Sequence, residues 1–248
     1  MDHEQYMSIT SSIESVTVDR LPGDLNRHFH EDFSITVILE GECSVLVEDE
    51  LHTLNSGDTV LIPGYMPHAC INSPDTDLSY RVIMVPGNIM KRCSIPQRFD
   101  IVKSSELKYG RFNLTGIENM INRVTGIRPA GVSINSFRSP EGGKSSSMKR
   151  VADYITAGWQ GEVTLDELAD VSGLSKYHLV KKFREEFGMT PHAYSINVRI
   201  NRARELLKSG RPLADISLEL GFYDQSHFSN TFLKYTGLTP LGYRKLFT

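Results

Sequence analysis

Two rhythms of apolar residues divide the chain. From residue 33 to residue 85 the period is two. Phe33, Ile35, Val37 and Leu39 alternate with Ser34, Thr36 and Ile38, as side chains do when successive strand residues point to opposite faces. Turn signals interrupt this region at Glu40-Gly41, Glu48-Asp49-Glu50, Asn55-Ser56-Gly57-Asp58, Pro63-Gly64 and Ser73-Pro74-Asp75. Short strands punctuated in this way predict a barrel or sandwich. Near residue 115 the period becomes helical, with Ile117, Met120, Ile121 and Val124 at i, i+3, i+4, i+7. The Gly/Ser-rich run 139–147 reads as an interdomain linker. Beyond it the pattern is helical to the end. The expected fold class is a multidomain α+β chain: a β-barrel domain over 1–138, a linker over 139–147 and an all-α domain over 148–248.

The helical part contains one plan twice. Thr164 and Glu167 have the spacing of a capping box. The helix that follows offers Leu165, Leu168, Ala169 and Val171 for burial, and Gly173 permits a tight turn. Ser175 can cap a second helix, whose core side is Leu179, Phe183 and Phe187 and which Gly188 ends. In the repeat, Pro212 marks a helix start, Leu213, Ile216 and Leu220 line the buried face, and Gly221 makes the turn. Asp224 can cap the next helix, with Phe228, Phe232 and Tyr235 inside and Gly237 at its end. These are two helix-turn-helix units, over 164–188 and 212–237. One recognition helix presents three or four side chains to base edges, and two can read groove segments roughly 34 Å apart. The intervening segment from Pro191 to about Leu207 would make a strut of about 25 Å at 1.5 Å per residue.

Charge sharpens this division. The net charge is -3 overall. Residues 148–248 carry 14 Lys+Arg against 11 Asp+Glu, whereas the remainder carries 13 against 19. A mildly basic half joined to an acidic one fits a DNA-binding module joined to a sensor. The length of 248 residues suits two ordinary domains. No apolar run reaches the roughly 18 residues of a membrane helix, and the polar, acidic stretch Met1 to Asp19 predicts no secretory leader. Three dispersed cysteines, Cys43, Cys70 and Cys93, suggest neither a disulfide framework nor a zinc knuckle, so a reducing cytoplasm is expected.

The residues from about Met148 to Phe247 resemble the DNA-binding domain of AraC/XylS-type bacterial transcription regulators. The resemblance lies in Leu165-Asp-Glu-Leu-Ala169, Gly173-Leu-Ser175, Leu179, Phe183, Phe187-Gly188, Thr190-Pro191, Arg199, Ala203, Leu206-Leu207 and Ile216. It continues through Gly221-Phe-Tyr-Asp-Gln-Ser-His-Phe-Ser229, Phe232, Gly237, Thr239-Pro240 and Tyr243-Arg244. By position, the resemblance implies base-facing roles for Tyr177, Val180 and Lys181 in the first unit and for Gln225, Ser226 and Asn230 in the second. Lys182 joins them as a candidate phosphate contact. The family often has a basic residue at position 230; the Asn here can instead read adenine. The implied function is a non-enzymatic, ligand-responsive regulator, such as an activator, acting on double-stranded promoter DNA. RNA polymerase and a second copy of the chain are further candidate partners, and no membrane is expected. The stripe 117–124 reads equally as a dimer interface or as packing on the chain's own barrel.

His28-Phe29-His30, Gly41, Gly57-Asp58, Pro63-Gly-Tyr-Met-Pro-His68 and Asn72 resemble the two motifs of a cupin barrel. His28, His30, Ser34 and Thr36 share one strand parity and could face a lumen. The candidate effector set is His28, His30, Thr36, His68 and Arg81, with Arg81 suited to a carboxylate or phosphate if it points inward. Three imidazoles could hold Zn, Fe or Mn. The cupin carboxylate, however, would fall at Ser34 or Ile35, which cannot supply one. No metal or other cofactor is therefore expected. The alternative is a metal-dependent cupin enzyme fused to a DNA-binding module. A DNA-repair fusion would need clustered reactive cysteines, which this spacing lacks.

Overall fold

The computed structural model describes residues 6–10, 13–21, 23–73, 77–87, 99–103, 145–161 and 163–247. Among them, the strands are β1 (Tyr6–Thr10), β2 (Ile13–Val18), β3 (Leu25–His28), β4 (Phe33–Glu40), β5 (Glu42–Val47), β6 (Glu50–Asn55), β7 (Thr59–Ile62), β8 (His68–Asn72), β9 (Ser79–Val85) and β10 (Asp100–Val102). The helices are α1 (Ser146–Ala157), α2 (Leu165–Ser172), α3 (Lys176–Phe187), α4 (Pro191–Lys208), α5 (Leu213–Glu219), α6 (Gln225–Thr236) and α7 (Pro240–Lys245). The stripe 117–124 lies outside the described residues. The chain forms two compact units. The first comprises Met1–Asp24, His30–Met66 and Cys70–Ser139, and the second Leu25–Phe29, Pro67–Ala69 and Pro140–Thr248.

Hydrogen bonding resolves the expected barrel into two sheets, ordered β1-β2-β9-β4-β7-β10 and β3-β8-β5-β6. The alternating run at 33–40 is β4, a central strand paired with β7 and β9. Ser34 on one face is as buried as Ile35 on the other, so β4 is covered on both sides. The Glu48-Asp49 turn joins β5 to β6 with both residues at positive φ, as a two-residue hairpin matched to strand twist requires. Gly64 is needed because the Glu31 carbonyl passes where a side chain would begin. Asp58, in the predicted turn before β7, is a buried carboxylate. It accepts from the Asn55 backbone N–H at 2.9 Å and from Lys103 Nζ at 2.9 Å, which satisfies a charge that burial would otherwise penalise.

The first helix of the second unit starts inside the expected linker. Ser145 caps α1 through its side chain, and both its backbone N–H and its Oγ donate to the Glu186 carboxylate, at 2.7 and 2.8 Å. The serine run thus ends as a cap and first turn rather than as free spacer. Met148, Val151, Ala152 and Ile155 of α1 pack with Leu168 of α2 and with Leu179, Phe183 and Phe187 of α3. The second helix pair is held by an aromatic series. Phe222–Phe228, Phe228–Phe232 and Phe232–Tyr243 have ring centroids 5.3, 5.8 and 5.5 Å apart, within the range of favourable edge contacts. Leu165, expected to be buried, is exposed. It is the first residue of α2, where the stripe has not yet turned toward the core. Ala169 and Val171 are half-buried.

Candidate nucleic-acid interface

Each recognition helix is entered through a defined cap. The Thr164–Glu167 capping box forms in full: Glu167 N donates to Thr164 Oγ1, and Thr164 N donates to the Glu167 carboxylate at 2.8 Å. These bonds hold the Glu167 carboxyl below its ordinary pKa. Asp224 caps α6, with Oδ1 accepting from His227 N at 2.6 Å. Ser175 differs from expectation. Its side chain makes no capping bond and instead pairs with His178 Nδ1 at 2.9 Å. Gly221, at φ +69°, takes the left-handed turn between α5 and α6 that a side chain would strain.

The caps and cores leave one face of each recognition helix outward. On α3, Tyr177 is 74% exposed. Lys181 is exposed, and Val180 and Lys182 are half-buried. On α6, Gln225, Ser226 and Asn230 are all exposed. The opposite faces carry Leu179 and Phe183, and Phe228 and Phe232, which solvent does not reach. The positive end of each helix dipole adds to the attraction for phosphate. Not every cation on this face is free to contribute. Lys176 Nζ lies 2.6 Å from Asp166 Oδ1, a pairing that reading α3 alone could not anticipate.

Between the two helix pairs runs α4, 18 residues long, or about 27 Å at 1.5 Å per residue. Two buried polar residues on it, Asn197 and Arg199, carry directed hydrogen bonds. Asn197 Oδ1 accepts from Phe29 N at 2.8 Å, and its Nδ2 donates to Phe29 O at 2.7 Å. Arg199 donates to Gly221 O at 3.1 Å and to Gly161 O at 2.6 Å. The sequence reading found Arg199 only as part of the family resemblance and missed Asn197. The signal was two polar residues flanking Val198 on the inner side of an amphipathic helix.

The effector candidates separate. In the second unit, the His28 and His68 rings stand 4.3 Å apart. His28 Nδ1–H donates to Asn26 O at 2.7 Å. Burial, followed by the nearby His68, holds the His28 pKa well below its ordinary value; the Asn26 bond opposes this, and Arg204 adds a smaller lowering. In the first unit, His30 is buried and donates from Nδ1 to Asp32 O at 2.6 Å. Thr36 pairs with Val82, whereas Arg81 pairs with Val37 and Thr17. Directly opposed residues share a face, so Thr36 and Arg81 lie on opposite faces of the six-stranded sheet. Arg81 Nε donates to Thr17 Oγ1 at 3.0 Å. Among the described residues, no three His, Cys, Asp or Glu side chains gather closely enough to hold a metal ion.

Lowered basicity at His28 has a thermodynamic consequence. The unfolded chain takes up this proton first as the pH falls below about 6.5. Stability tied to neutral His28 is complete above that pH and declines below it. Urea midpoints measured on either side should fall on acidification, and His28→Gln should flatten the fall. An unchanged slope in that variant would show that His28 is not the responsible group.

The family profile described as "AraC-like ligand binding domain" matches residues 18–113, and the one described as "Helix-turn-helix domain" matches residues 168–246. The chain belongs to the AraC family of transcription regulators. AraC-family members are regulators, not enzymes, which removes the metal-dependent cupin enzyme as an alternative. The HTH-type transcriptional regulator YbfI of Bacillus subtilis is 29% identical over 227 residues, 81% of this chain and 80% of that protein. The HTH-type transcriptional activator RhaR of Escherichia coli is 33% identical over 108 residues, 43% of this chain and 38% of its own length. Unsaturated fatty acid bound ToxT from Vibrio cholerae aligns over 98% of each chain with a TM-score of 0.55 at 14% identity, a likeness of fold. This AraC-family chain is thus a DNA-binding transcription regulator with a ligand-binding domain. No helix among the described residues is long and apolar enough to cross a membrane.

Proposed function

We propose that this regulator is ligand-responsive: a small organic effector bound by the N-terminal β domain, without a resident metal, changes how the helices of the second unit bind promoter DNA. The observation that carries the DNA half is the outward placement of Tyr177, Val180 and Lys181 on α3 and of Gln225, Ser226 and Asn230 on α6, each set opposite a buried aromatic anchor. Lys181 and Gln225 are the principal base readers, one per groove segment, and Lys182 contacts phosphate. In the first unit, His30 and either Thr36 or Arg81 are the effector candidates. Because Thr36 and Arg81 face opposite ways, one pocket recruits only one of them. Arg81 favours an effector with an anionic group. Effector and DNA are then linked reciprocally: whatever factor the effector applies to DNA affinity, DNA applies to effector affinity. The setting is the cytoplasm, with RNA polymerase and a second copy of the chain as further partners.

Binding-site selection from a random duplex pool tests the assignment. Lys donating to guanine, or Gln bonding adenine, is worth about 1–3 kcal/mol of discrimination. Lys181→Ala should relax preference in one segment, and Gln225→Ala in another about one helical turn away. If Lys181→Ala keeps its sequence preference and only lowers the salt slope, Lys181 is a backbone anchor. If both variants relax the same base pairs, the two-segment reading fails.

A further inference from the structure

We infer that Arg199 is a positioning residue that sets the spacing between the two DNA segments this regulator reads. The inference rests on the two-segment reading above. Arg199 is the ninth of the 18 residues of α4, and its guanidinium is buried. One terminal nitrogen, Nη2, donates to Gly161 O at 2.6 Å, in the loop between α1 and α2 that leads into the first helix-turn-helix unit. The other, Nη1, donates to Gly221 O at 3.1 Å, in the turn of the second unit, directly before α6. The three pieces converge closely. A Cβ built on Gly221 would stand 3.4 Å from Arg199 Nη1 and 3.5 Å from Gln160 O.

Apolar packing of each helix pair against α4 supplies cohesion but little direction, because burial depends on area rather than angle. Hydrogen bonds weaken steeply when misaligned. A planar guanidinium donating to two carbonyls therefore fixes angles that packing leaves loose. Its two donors are held in one rigid fork, so a turn of either unit about α4 must break a bond at the shared group. Lysine cannot substitute, since its single ammonium on a flexible stem has no fixed fork. Rotation of one recognition helix relative to the other appears on DNA as a change in the preferred number of base pairs between segments. One base pair shifts the register by about 3.4 Å and about a tenth of a turn.

The test uses the full chain and a duplex taken from the wild-type selection, with one base pair inserted or deleted between the two segments. The wild type should lose about tenfold or more in affinity on either change, roughly the effect of a mismatched base pair. Arg199→Lys and Arg199→Gln should bind all three spacings within about threefold of one another, while preference inside each segment stays as in the wild type. A purely stabilising role would lower the melting temperature and leave the spacing penalty of the folded protein intact, which overturns the inference. Failure of both variants to melt cooperatively assigns Arg199 to folding and overturns it too. A wild-type pool containing only one preferred segment overturns the two-segment reading and this inference together. Two segments with undiminished spacing stringency in both variants overturn this inference alone.

Discussion

Replacing Phe183 with alanine should destabilise the helical unit by about 3–5 kcal/mol. Phe183 has no exposed surface. Its ring stacks on Phe187 at 4.4 Å and meets Tyr194 edge-on at 5.4 Å. Removing it takes away a full aromatic burial and leaves a cavity between α1, α3 and α4, whose helices are too tightly packed to collapse inward without moving one another. Domains of this size are stable by about 5–15 kcal/mol, so the variant sits near the edge of folding. The chain has one tryptophan. Trp159 packs against the cluster of Phe29, Met189 and Val198, so its fluorescence during urea unfolding reports on this unit. A loss below about 1 kcal/mol would contradict the packing described for α3, since emptying a fully buried aromatic site costs several times that.

Affinity for DNA should fall about a thousandfold or more between 50 and 200 mM salt, provided at least six phosphates are contacted. Counterion release sets the slope: each phosphate that the two helices and their flanking turns neutralise adds about 0.9 to the slope of log affinity against log salt. Lys182→Ala should reduce that slope by about one unit while leaving the selected sequence unchanged. Titration of a labelled duplex across that salt range measures both. A slope near zero would show that the outward faces of α3 and α6 do not engage the backbone. An unchanged slope for Lys182→Ala would return that lysine to the solvated surface.

The helical half was largely legible because its determinants are local. Thr164 with Glu167, Asp224, Gly221 and the period of Leu179, Phe183 and Phe187 each act within a turn or two of the chain. Expectations failed where the deciding partner lay elsewhere. Residue type alone predicts a cap at Ser175, but His178 takes its hydroxyl. Ser145 looked like linker until Glu186, from another helix, fixed it as a cap. In the β domain, the alternation along β4 was visible, yet the faces of Thr36 and Arg81 depend on pairing between strands some 45 positions apart, which no local period encodes. The polar bonds of Asn197 and Arg199 escaped for the same reason: their acceptors, at Phe29, Gly161 and Gly221, are distant in sequence.

The division of each recognition helix into a sealed inner side and an open outer side has a consequence for how such proteins diverge. Substituting Lys181, Gln225, Ser226 or Asn230 removes no packing and empties no cavity, since all four side chains lie in solvent. Surface changes of this kind shift stability within about half a kcal/mol. With the base-reading roles proposed for these side chains, gene duplicates drift to new promoters by single steps, without passing through unfolded intermediates. Phe183 and Phe232 give the lineage no such freedom.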